Sequence, residues 1–158
     1  MSNEREPRRA MLVSALVAVV LQVLPLPDWL ASARPAFLLL VVIYWSLIAP
    51  RAGGLTLAFF AGVLLDVFKG AVLGQYAIAT LLVGYIAIRQ SNLIRNKPVF
   101  QQAVFVAVVS FLWELVLWAI GGWSGQSVAG FARWIPVLTN ALVWPLAAFA
   151  LSRTHAVR

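Results

Sequence analysis

The sequence contains no cysteine, one histidine and few charged residues, and each scarcity excludes a class of function. Without cysteine, disulfide bonds, thiol chemistry and cysteine-ligated metals are excluded. The one histidine, His155, lies far along the chain from the acids of the apolar segments, so neither a Ser-His-Asp triad nor a histidine-ligated metal site can be assembled. The Gly-x-x-x-x-Gly-Lys-Ser/Thr phosphate loop is also missing. The sequence therefore predicts a protein that is not an enzyme and uses no cofactor or metal.

Charged residues make up 11% of the 158 residues and hydrophobic residues 63%, whereas soluble domains average roughly 25% and 45–50%. This composition predicts an all-α integral membrane protein surrounded by lipid. The net charge of +7 is compatible with nucleic-acid binding in principle, but lysine and arginine lie singly or in small groups at the ends of apolar runs. Because no basic face with interleaved aromatic residues follows, we expect no nucleic-acid partner.

Apolar runs bounded by proline, glycine and charge predict a compact bundle of six transmembrane helices, which forms a single membrane domain over residues 1–158. The predicted spans lie near residues 10–25, 35–50, 52–68, 75–93, 99–121 and 134–151.

The positions of lysine and arginine predict that both termini are cytoplasmic. With that orientation, most cations fall on the inner side: Arg5, Arg8, Arg9, Arg51, Arg89, Arg95, Lys97, Arg153 and Arg158. Only three fall outside: Arg34, Lys69 and Arg133. The sequence thus predicts a multi-pass protein of the cytoplasmic membrane.

One apolar segment carries an acid on a stripe of small residues spaced four apart: Gly54, Ala58, Gly62, Asp66, Gly70 and Gly74. Positions four apart share one face of a helix, where small side chains let a second backbone approach closely. A carboxylate near the bilayer centre costs about 2.5–3.5 kcal/mol, so we expect Asp66 to face protein. The stripe is interpreted as a partner-contact or packing face.

Several roles for the polar groups remain open at the level of the sequence. Asp66 either pairs with Lys69 or caps the turn near residues 69–75, or else it forms an interhelical contact for a partner or a protonatable group for transport. Glu114 and Asn140 are expected to be buried polar residues, and no partner can be assigned to Glu114. Whether Asp66 and Glu114 touch is not determined by their spacing.

Three motifs together resemble the MreD family of rod shape-determining proteins of Gram-negative bacteria. They are Arg34-Pro35 ahead of Tyr44-Trp45, the segment Gly62-Val-Leu-Leu-Asp66-Val-Phe-Lys-Gly70-Ala-Val-Leu-Gly74, and Asn140-Ala-Leu-Val-Trp144-Pro145. The resemblance implies a non-enzymatic inner-membrane subunit of the cell-elongation complex. Its implied partners are MreC, the actin-like MreB, RodA and the penicillin-binding transpeptidase that synthesise peptidoglycan.

The family is also similar in architecture to the six-helix substrate-binding subunits of energy-coupling-factor transporters, which supplies an alternative function. That alternative predicts a pocket open to the outside and able to retain a small molecule. Its lining would comprise Asp66, Glu114, Trp113 and Trp118.

Overall fold

The structure, a computed structural model, describes residues 5–52, 54–125 and 130–156, which form helices and turns without a strand. The helices are α1 Arg5–Val23, α2 Asp28–Ala31, α3 Phe37–Ile48, α4 Gly54–Lys69, α5 Gln75–Ile94, α6 Val99–Trp123 and α7 Ile135–Ala156. Two short 3-10 helices, Pro50–Ala52 and Phe131–Trp134, precede α4 and α7. The predicted all-α class is confirmed for these residues.

Helix α3 is the centre of the bundle. Every residue from position 38 to position 47 is buried, and the helix packs against α1, α4, α5 and α7. The remaining contacts join neighbours around it, namely α4 with α5, α5 with α6, α6 with α7 and α7 with α1. Because α3 has only 12 residues, it extends about 18 Å at 1.5 Å per residue, well short of the bilayer core.

Within the described residues, three segments are long and apolar enough to cross a membrane: Gln75–Ile94, Val99–Trp123 and Phe131–Thr154. The outward faces of α6 and α7 carry large exposed apolar side chains, among them Val104, Val108, Leu138, Leu142 and Leu146. Such surfaces suit lipid rather than water. The protein is therefore a helical membrane protein, while the six spans and the cytoplasmic termini stay predictions.

The α1–α3 corner is closed by side-chain bonds to the backbone. The Arg34 guanidinium donates to the carbonyl oxygens of Gln22 and Leu24 at the end of α1. In return, the Gln22 side-chain oxygen accepts from the N–H of Phe37, the first residue of α3, at 3.1 Å. These bonds engage carbonyl groups at the end of α1 and an N–H group at the beginning of α3, and they fix where α3 enters the bundle.

Candidate functional site

Asp66, near the end of α4, is only 2% exposed, and its carboxylate binds backbone N–H groups at the beginning of α5. One oxygen accepts from the N–H of Gly74 at 2.9 Å and the other from the N–H of Tyr76 at 2.7 Å. The first N–H groups of a helix have no partner within the helix, and a carboxylate there also faces the positive end of the helix dipole. The structure therefore shows Asp66 capping this turn, one of the roles left open by the sequence, and shows no ion pair between Asp66 and Lys69.

Part of the small-residue stripe lies between α4 and its neighbours. A Cβ added at Gly62 would lie 2.4 Å from the Ala77 Cα of α5, so the two backbones touch directly. One turn before Gly62 in α4, the Ala58 Cβ would lie 2.9 Å from a Cβ added at Gly84 of α5. At Gly54 the nearest atom is Cδ1 of Ile88, at 3.1 Å. Small side chains are thus what allow α4 and α5 to pack this closely.

Gly70 and Gly74 differ from the other members of the stripe, because they lie beyond the end of α4 in the turn before α5. An added Cβ would meet nothing within 4 Å at either position. Their φ angles are +59° and +98°, a left-handed conformation that glycine adopts without steric cost. These two glycines shape the turn that brings Gly74 and Tyr76 to Asp66.

Glu114 of α6 forms an ion pair with Arg133, from the 3-10 helix before α7. Glu114 Oε2 lies 3.2 Å from Arg133 Nε, and the two side chains are 11% and 20% exposed. This Nε makes no aligned hydrogen bond within the described residues, so the contact is an attraction between charges. It is the one ion pair that the described part of the chain contains.

Asn140 of α7 joins three helices. Its side-chain oxygen accepts from the N–H of Ala36, just before α3, at 2.8 Å, and its amide nitrogen donates to Ser110 of α6 at 3.2 Å. Asn140 is 1% exposed, so these bonds lie away from lipid and water. Asn140 thus links the beginning of α3 to α7, just as Asp66 links the beginning of α5 to α4.

Comparison with known proteins identifies the family. A family model described as rod shape-determining protein MreD matches residues 7–153. The chain belongs to the MreD family. The rod shape-determining protein MreD of Haemophilus influenzae is 26% identical over 133 residues, covering 82% of this chain and 80% of that protein. No solved structure matches the chain. Membership in the MreD family supports a role in rod shape determination and confirms the resemblance drawn from the sequence.

For this member of the MreD family, the four residues expected to line an outward pocket do not come together. Trp113 and Glu114 line a cavity of about 120 Å³, but Asp66 is not in its lining and Trp118 is 42% exposed. Ligand pockets usually measure about 300–1,000 Å³. Asp66 and Glu114 have different partners, since Asp66 accepts from two N–H groups and Glu114 pairs with Arg133. No group of three histidine or acidic side chains within the described ranges is placed to hold a metal ion.

Two residues that make contacts in this MreD protein, Gly84 and Arg133, were not predicted from the sequence as site residues. The spacing of small residues on α5 contains a signal for Gly84, since Ala77, Thr80, Gly84 and Ala87 recur at three and four positions and are all buried. Arg133 has no comparable signal, because a lone arginine in a connecting segment is indistinguishable from a topology determinant.

Proposed function

We propose that the protein is a non-enzymatic, multi-pass subunit of the bacterial inner membrane that holds elongation proteins together and so maintains rod cell shape. The observation that carries this proposal is the match of the MreD family model to residues 7–153. The proposed partners are MreC, RodA and the penicillin-binding transpeptidase, with MreB on the cytoplasmic side.

We further propose that α1, α3, α4, α5, α6 and α7 are the six spans and that both termini are cytoplasmic. The cations support this orientation, since Arg8, Arg51 and Arg95 meet at one end of the bundle whereas Arg34 and Arg133 lie at the other. The central helix α3 is short, but it is surrounded by protein, so it needs no match to the bilayer.

Partner proteins are proposed to bind the outward faces of the bundle. The connections between helices are short and contain no further domain, so most of the available surface lies within the bilayer. The small-residue face of α4 is occupied by α5, with Gly62 in contact with Ala77. We therefore assign that face and Asp66 to holding the fold that presents the partner surface.

Affinity purification under mild conditions from the native host, followed by mass spectrometry, tests the proposal. The wild-type protein is compared with Asp66→Asn and with Asp28→Asn, which removes the same charge from an exposed position. We expect MreC and the synthases to be recovered with the wild-type protein and with Asp28→Asn. For Asp66→Asn we expect a lower melting temperature, because the carboxamide can accept one N–H but presents its own N–H₂ to the other donor.

The two parts of the proposal fail in different ways. Absence of MreC and the synthases from the wild-type preparation would refute the scaffold function. An Asp66→Asn protein that melts at the wild-type temperature but loses MreC would instead show that Asp66 contacts the partner directly.

A further inference from the structure

A cavity of about 590 Å³ lies at the end of the bundle where α3 stops. Its floor is the segment from Ile48 to Ala52, where α3 ends and the 3-10 helix begins. The last turns of α5 form a wall, and the first turn of α1 contributes a side chain. The cavity follows from the lengths of the helices, because α5 has 20 residues and the central helix only 12.

Three arginines line this cavity, and each comes from a different element. Arg8 belongs to α1, Arg51 belongs to the 3-10 helix after α3, and Arg95 directly follows the last residue of α5. All three are exposed, and none forms a side-chain hydrogen bond or an ion pair with a described residue. By contrast, Arg34 and Arg133 at the other end are engaged with the protein. Three guanidinium groups thus line one cavity, and no side chain in the described part of the chain binds them.

No described acid compensates this charge. The described carboxylates, Asp28, Asp66 and Glu114, belong to the opposite end of the bundle, where Asp66 and Glu114 already have partners. Glu4 and Glu6 precede Arg8 in the sequence, and their side chains lie outside the described residues. Like charges brought together repel one another, so an anion that binds all three arginines relieves this repulsion.

The remaining lining has the chemistry of a lipid headgroup site. Ser91 and Asn92 add a hydroxyl and an amide beside the arginines, whereas Ile48 and Ile88 present apolar surface in the same cavity. Guanidinium groups bind phosphate through paired N–H bonds, and basic pockets between membrane helices bind phospholipid headgroups. An inorganic phosphate would leave most of the volume and the apolar wall to water.

We propose that this cavity binds the phosphate headgroup of an anionic phospholipid, with Arg8, Arg51 and Arg95 as its ligands. A headgroup reaches the site from the adjoining leaflet, since the helices that form it have lipid-facing outer surfaces. This inference concerns a lipid and does not rest on the proposed protein partners.

The test compares two triple variants that lose the same charge from the same end of the bundle. Arg8→Gln/Arg51→Gln/Arg95→Gln removes the three cavity arginines. Arg9→Gln/Arg89→Gln/Arg153→Gln removes three arginines that do not line the cavity. The matched charge loss controls for topology and for diffuse attraction to anionic membranes. Binding of phosphatidylglycerol and phosphatidylcholine to detergent-solubilised protein is measured by native mass spectrometry.

We expect the wild-type protein and the second triple variant to retain phosphatidylglycerol in preference to phosphatidylcholine, and the cavity variant to bind it roughly a hundredfold more weakly. Equal retention by the two variants would overturn the proposal, since the attraction would then be diffuse. A thermal shift of the wild-type protein needs no variant: phosphatidylglycerol should raise the melting temperature and phosphatidylcholine should not. If inorganic phosphate or a glutamate-rich peptide protects the wild-type protein as well as phosphatidylglycerol does, the site is not a lipid site.

Discussion

Replacing Gly62 by alanine adds one methyl group at the point where α4 and α5 touch. The new Cβ would lie 2.4 Å from the Ala77 Cα, and 2.9 Å from both the Ala77 nitrogen and the Tyr76 oxygen. Carbon atoms in contact prefer about 3.5–4.0 Å, so the two helices must move apart by about 1 Å. All three neighbouring atoms are backbone, and no side-chain rotation can relieve the contact.

A separation of this size also acts on the Asp66 cap. The bonds from Gly74 and Tyr76 to the carboxylate measure 2.9 and 2.7 Å, and adding about 1 Å moves both beyond hydrogen-bond distance. Overpacking a contact costs about 1–3 kcal/mol, and lost bonds to a charged group add to that. For a chain of this size we expect a fall in melting temperature of about 3–10 °C.

The assay is thermal unfolding in nanodiscs, followed by circular dichroism, with Gly122→Ala as the matched control. Gly122 lies in α6, and a Cβ there meets nothing within 4 Å. Alanine is the better helix former by about 0.8–1.0 kcal/mol, so Gly122→Ala should melt at or above the wild-type temperature. A Gly62→Ala protein as stable as Gly122→Ala would refute the close contact between α4 and α5.

Two further predictions concern the polar contacts. Glu114→Gln and Arg133→Gln should each lower the free energy of unfolding. A double-mutant cycle should then give a coupling free energy of about 0.5–3 kcal/mol between the two positions. Additive effects of the two substitutions would mean that the charges do not interact. Asn140→Ala should cost about 1–3 kcal/mol in unfolding experiments because it leaves the buried N–H of Ala36 unpaired. Thr139→Ala, whose exposed hydroxyl bonds only within its own helix, should be nearly neutral, and equal effects of the two substitutions would contradict the buried role.

The positions of the helices could be predicted from apolar runs because proline, glycine and charge mark their ends. The segments expected near residues 75–93 and 99–121 are Gln75–Ile94 and Val99–Trp123 in the structure. The central place of α3 could not be predicted in this way. A helix that is apolar all round is buried in a soluble protein, but in a membrane protein lipid accepts the same surface.

The hydrogen-bond and ion-pair partners of the buried polar residues could be predicted from the sequence only where the partner is close along the chain. The turn that Asp66 caps lies within ten residues of it, so capping was foreseeable as one of several roles. Asn140, in contrast, bonds to Ala36, which is 104 positions away, and only the packing of α7 on α3 brings them together. The pairing of Glu114 with Arg133 likewise depends on how α6 and α7 pack, which no local pattern encodes.

The shortness of α3 has a consequence for how the chain enters the membrane during synthesis. A stretch of 12 apolar residues is too short to be retained in a bilayer as an independent span. We expect α3 to insert only after α4 has been synthesised, so that the two helices enter the membrane together as a hairpin joined at Pro50–Ala52. The helix at the centre of the finished bundle therefore depends on the helix that follows it in the chain to stay in the membrane.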